Sequence, residues 1–104
     1  MDDARIAKLA KALAHPARVR IVRLLASHPE CAGKEVFAEL PLAQSTVSQH
    51  LAVLKDAGVV TDHAVGASRV YCLDASALSE LARAIGDVAD RSAACVQSSD
   101  RPKG

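Results

Sequence analysis

Aromatic residues are nearly missing from this sequence: Phe37 and Tyr71 stand alone, with no tryptophan among 104 residues. Half of the chain is apolar, so its core must be built from Leu, Val, Ile and Ala, which suits closely packed helices. A long apolar run is missing too. The best candidate, Ile21 to Ala26, is broken by Arg23, and nothing approaches the roughly 20 residues that span a bilayer. The start, MDDARIAK, is acidic and has no apolar signal core, so a cytoplasmic protein with no membrane partner is expected. Bulk charge is missing: the formal net charge is +1. Eight of the 13 Lys/Arg and six of the 12 Asp/Glu lie in residues 1–60. If DNA is the partner, so even a balance allows only a modest set of phosphate contacts. The three cysteines, Cys31, Cys72 and Cys95, contain no CxxC or CxC pair. An odd number in a cytosolic chain argues against a disulfide framework. The four histidines, His15, His28, His50 and His63, are scattered. Ser45 and Ser48 have no partnered acid–base set, and no glycine-rich phosphate loop exists, so no enzyme is expected. The length suits one domain.

What the chain does have is concentrated in LAQSTVSQHLAVLKDAGVV, residues 42–60. On a helix of 3.6 residues per turn, Val47, Leu51 and Leu54 share one face and point inward. Ser45, Ser48, Gln49 and Ala52 fall opposite. That outer face is short, polar and free of acid, with groups that both donate and accept hydrogen bonds. Its chemistry suits a helix in the DNA major groove. Read alone, it is equally an ordinary amphipathic surface helix. Gly58 is placed to end the helix, and Val59-Val60-Thr61 to begin a strand.

Three helices are expected before it. The first spans 3–14, with an apolar stripe of Ile6, Leu9, Ala10 and Leu13 and a cap from Asp2 or Asp3. His15-Pro16 closes it, and Pro16 opens a second helix. His15 at that junction reads as turn packing. Ala17, Ile21, Leu24 and Leu25 make the second helix's buried face, with Arg18, Arg20 and Arg23 elsewhere on its surface. GKEVFAEL, residues 33–40, forms a short third helix with Val36, Phe37 and Leu40 inward. The tight connection Pro41-Leu42-Ala43 then makes a helix-turn-helix with residues 42–57.

Strands are expected at Val59 to Val65 and Ser68 to Leu73, joined at a Gly66-Ala67 tip. Such a hairpin is a wing, and Arg69 beside its tip is placed to meet a minor groove or phosphates. Asp74 caps a last helix through about Val96, with the stripe Leu78, Leu81, Ala82, Ile85, Val88 and Ala89. Residues 1–96 are expected to form one domain, and the polar tail 97–104 to be disordered. The fold class is mainly α with a small β-hairpin, a winged helix-turn-helix. The first and last helices carry more apolar stripe than one small domain can bury. Ile6, Leu9, Leu13, Leu78, Leu81, Ile85 and Val88 are therefore expected to join two copies into a homodimer. A two-fold dimer sets two recognition helices one DNA turn apart.

The strings ALAHPARVRIVRLL, LPLAQSTVSQHLAVLKDAGVV and SRVYCLDA, in this order, resemble the ArsR/SmtB family of bacterial winged-helix repressors over about residues 4 to 90. The resemblance implies a homodimer on double-stranded operator DNA, released by an effector. Carried over by position, it implies DNA reading by Gln44, Ser45, Thr46, Ser48 and Gln49. His50 matches a histidine common in the family motif; its helical angle, beside the buried face, gives it packing or a phosphate contact. The family's effector sites are not reproduced. Its thiolate sensors open the helix before the turn with CxC. Here Cys31 falls at that pair's first place or one residue before it, and Gly33 or Lys34 takes the second. Its other common site needs a histidine on the last helix, which has none; Asp87 and Asp90 read as solvated charges.

Three readings of the cysteines stay open. In the first, As(III) or Sb(III) is the effector, held by Cys31 and Cys95 from opposite subunits. In the second, oxidation closes two cysteines into a disulfide and the repressor is redox-responsive. In the third, all three are small apolar residues, the part given to Cys72, and the effector is non-metal or absent. A winged-helix protein-interaction module is the competing class.

Overall fold

A computed structural model describes the backbone of residues 2–96 and the side chains through residue 92. The expected tail lies outside the described residues. The order is α1 (Asp3–Ala12), α2 (Pro16–Ala26), α3 (Lys34–Ala38), α4 (Gln44–Asp56), β1 (Val60–Val65), β2 (Ser68–Leu73) and α5 (Ala75–Val96). No helix among the described residues is long and apolar enough to cross a membrane.

The helix ends follow local chemistry. Asp2 Oδ1 accepts from the Arg5 N–H at 2.7 Å and starts α1. His15 Nδ1 accepts from the Ala17 N–H at 3.0 Å, so His15 caps α2 while Pro16 fills its first turn. Asp74 accepts from the Ser76 N–H at 3.0 Å and the Ser76 hydroxyl at 2.6 Å at the start of α5. Gly58 takes a φ of +85° and closes α4. Its N–H donates to Lys55 and that of Val59 to Leu54, a Schellman ending that aims the chain into β1. Arg5 secures this corner, donating to the Ala57 carbonyl at 2.9 Å and to Glu80 of α5 at 3.2 Å.

The core lies where α2, α3 and α4 meet the hairpin base. Leu9, Ile21, Val36, Val47, Leu54 and Val59 are all fully buried. Leu9 corrects the sequence reading: it is spent on the protomer's own core and has no surface left for a partner. It belongs to the buried core cluster, whereas Ile6 of the same stripe is only half-buried. Leu13, Leu78 and Leu81 are half-buried against the same core. Farther along α5 the stripe outruns the domain, leaving Ile85 52% and Val88 61% exposed.

The hairpin is antiparallel, from Val60 opposite Leu73 to Val65 opposite Ser68. Gly66 supplies the positive φ, +62°, at its two-residue tip. One pairing joins residues far apart in the chain. Ala32, just before α3, bridges Tyr71 of β2 through hydrogen bonds of 3.0 and 2.8 Å. The wing is thus held by a third, single-residue strand.

Candidate nucleic-acid interface

The outer face of α4 is built by its inner one. Burial of Val47, Leu51 and Leu54 turns Gln44, Ser45, Ser48, Gln49 and Ala52 outward, all exposed, with Thr46 half-exposed. No acid sits in the first turn and no side chain caps it. The free N–H groups and positive end of the helix dipole therefore remain available to an anion. His50 lies at the edge of this face, its ring 4.5 Å from that of His15. Burial first, then the charges of His15 and Arg18, push its pKa down. The two rings are tilted by 53° to one another, so His50 packs on the residue that caps α2.

The wing stands beside α4, and a shallow groove lined by Ser48, Ala52, Lys55, Asp62 and Tyr71 runs between them. Arg69 is half-exposed on β2 but is not free. Its guanidinium meets Asp62 at 3.2 Å, and Lys55 reaches the same carboxylate at 2.9 Å. The hydrogen bond from Lys55 above all, with the charges of Lys55 and Arg69, holds the Asp62 carboxyl below the usual carboxylate range. Asp62 thus couples the end of α4 to the wing. Sequence reading passed over it, although the hairpin register sets Asp62 opposite Tyr71 and diagonal to Arg69, within reach of a long side chain.

Arg18 of α2 is partly buried beside His50, its Nε without a hydrogen-bond partner. Asp87 on α5 pairs with Arg91 at 3.2 Å, one turn on, as a surface ion pair.

The cysteines depart from expectation. Cys31 is bonded to Cys72, 41 residues away, with a Cα–Cα distance of 4.5 Å. The expectation that no disulfide framework would form and the purely apolar part given to Cys72 are corrected by this bond. Its cause is the Ala32–Tyr71 bridge, which brings the adjacent residues Cys31 and Cys72 together. The backbone of Cys95 lies in α5, but its side chain is outside the described residues.

Residues 15–62 match the family model described as bacterial regulatory protein, arsR family. The chain is 39% identical over 75 residues to the uncharacterized HTH-type transcriptional regulator Rv0081 of Mycobacterium tuberculosis. That match covers 72% of this chain and 66% of the relative, so the chain spans just under two thirds of that protein's length. Among solved structures, one described as a possible transcriptional regulator for arsenical resistance is 38% identical, with a TM-score of 0.69 over 78% of this chain and 82% of that one. The winged helix-turn-helix DNA-binding domain Mb0332 of Mycobacterium bovis, a homodimer, shares the fold at 22% identity. Its TM-score is 0.59 over 99% of this chain and 97% of that one.

Proposed function

The chain belongs to the ArsR family of bacterial regulatory proteins, and from that premise we propose that it is a homodimeric repressor that reads operator DNA with α4 and leaves it when an effector acts on its thiols. The relatives compared above are transcription regulators rather than enzymes. The observation that carries the reading is the outer face of α4: small, uncharged, exposed and held outward by buried Val47, Leu51 and Leu54.

Base readout falls to Gln44, Ser45, Thr46, Ser48 and Gln49. A Gln side chain can donate to and accept from one adenine edge, which is worth about 1–3 kcal/mol of discrimination. Gln49→Ala should weaken operator binding by that amount and relax preference at one base step, read on a panel of single-base operator variants. An unchanged panel would remove Gln49 from the reading set. Arg69 reaches phosphate from the wing once DNA competes with Asp62 for its guanidinium. Arg69→Ala should weaken all sequences alike and lower the slope of log affinity against log salt by about one. Anisotropy titrations at several salt concentrations test this, and an unaltered slope would contradict the wing contact.

Dimerisation rests on α1 and α5. Half-buried Ile6 and exposed Val88 line an open groove of 460 Å³ with Glu80, Arg83, Ala84 and Asp87. A second copy that buried this groove would also cover Ile85. Mb0332, of the same fold, is itself a homodimer.

The effector is thiol-directed in this proposal. A trivalent arsenic or antimony ion favours two or three thiolates. In the disulfide form Cys31 has none to offer, so a Cys31–Cys95 donor set fits such an ion only after reduction. The bond itself favours the redox reading. The deciding experiment is binding to the DNA upstream of the protein's own coding region, with arsenite, antimonite, zinc, cadmium, an oxidant and a reductant added in turn. A protein-interaction module would show no retention on DNA at low salt, whereas a repressor would be retained and released by high salt.

A further inference from the structure

We propose that Cys31 and Cys72 form a reversible thiol–disulfide switch that sets how firmly the wing is held to the helix-turn-helix, and through it the affinity for DNA. The second half rests on the DNA-binding reading above.

Three consecutive residues meet β2 at this point. Cys31 is bonded to Cys72, Ala32 bridges Tyr71, and Gly33 packs so closely that a Cβ there would meet the Arg69 carbonyl at 3.0 Å. Only the first of these ties is covalent. Cys31 also holds a φ of +75°, a left-handed conformation rarely taken by a residue with a side chain. The turn that delivers it is closed by the Cys31 N–H donating to the His28 carbonyl at 2.8 Å. Both cysteines are half-buried. The pair is thus screened from bulk solvent yet reachable by a small thiol.

The loop closed by the bond, residues 31–72, contains α3, α4 and β1 whole. Oxidation therefore fixes the wing against the unit that presents the recognition helix. Arg69 lies three residues from the bond on the same strand. A wing already ordered loses less conformational freedom on meeting DNA, so the oxidised form binds more tightly.

The chemistry is exchange with a low-molecular-weight thiol. Its thiolate attacks one sulfur, breaking the Cys31–Cys72 bond and forming a mixed disulfide. A second thiol then displaces the protein sulfur, which takes up a proton. Two free protein thiols and one small disulfide result, and the reverse sequence restores the bond. On reduction the two Ala32–Tyr71 hydrogen bonds remain, so the wing loosens without leaving.

The test uses the full chain carrying Cys95→Ser, so that only this pair titrates. It is equilibrated over a series of reduced-to-oxidised dithiothreitol ratios. Alkylation and mass measurement should count no free thiols at one end and two at the other, reversibly. Amide exchange in residues 60–73 should speed up on reduction. Affinity for the upstream fragment should fall about tenfold, within the usual range of coupling between sites. Cys31→Ser and Cys72→Ser, each in that background, should both match the reduced form and ignore the redox ratio. A pair that never reoxidises, or wing exchange and DNA affinity equal in both forms, would overturn the switch. Binding in neither form, with thiol counts and wing exchange still responding, would instead refute the DNA-binding reading.

Discussion

Glutamate at both Ile85 and Val88 should turn a dimer into a monomer and weaken operator binding by about 10²–10⁴, the avidity two linked reading heads gain over one. The two side chains are 52% and 61% exposed on α5, so the protomer does not need them for its own core. Charge there costs nothing in the monomer but is costly once a partner covers it. Sedimentation gives the mass and circular dichroism the fold. A double variant that stays dimeric would place the interface elsewhere. One that turns monomeric yet keeps its full operator affinity would break the link between pairing and DNA reading.

The other large effect is on stability. Leu54→Ala should cost about 2–5 kcal/mol, because a fully buried leucine leaves both lost transfer energy and a cavity. Leu54 anchors α4 to the core and accepts the last hydrogen bond of its Schellman ending through its carbonyl. Neighbouring Val53, on the same helix but 39% exposed, should lose only about 0.5 kcal/mol as alanine. Denaturant unfolding at one fixed protein concentration compares the two, since association adds its own stability. Equal losses would mean that the buried face of α4 is misassigned.

These two predictions differ in how far sequence alone could reach them. The inward side of α4 follows from spacing within a few turns, and the structure buries Val47, Leu51 and Leu54 as that spacing requires. The Gly66-Ala67 tip is equally local, and the hairpin register follows from it. The α1 stripe is less local. Periodicity placed Ile6, Leu9 and Leu13 together, yet Leu9 is buried at home while Ile6 borders the open groove. A stripe shows which side is apolar, and not which copy will cover it. Arg69 stands beside the tip in the sequence, but its ion pair with Asp62 depends on two strands lying side by side.

Local order was determined by the sequence itself: helix spans, caps, the hairpin tip and the polar outer face of α4, each an interaction among residues a few positions apart. Only the tertiary structure decided that Ala32 would bridge Tyr71, that Cys31 would meet Cys72, and that Asp62 would hold both Lys55 and Arg69. The physical reason is range. Backbone periodicity constrains neighbours along the chain, whereas these contacts join residues brought together only when the hairpin folds back and packs on the helices.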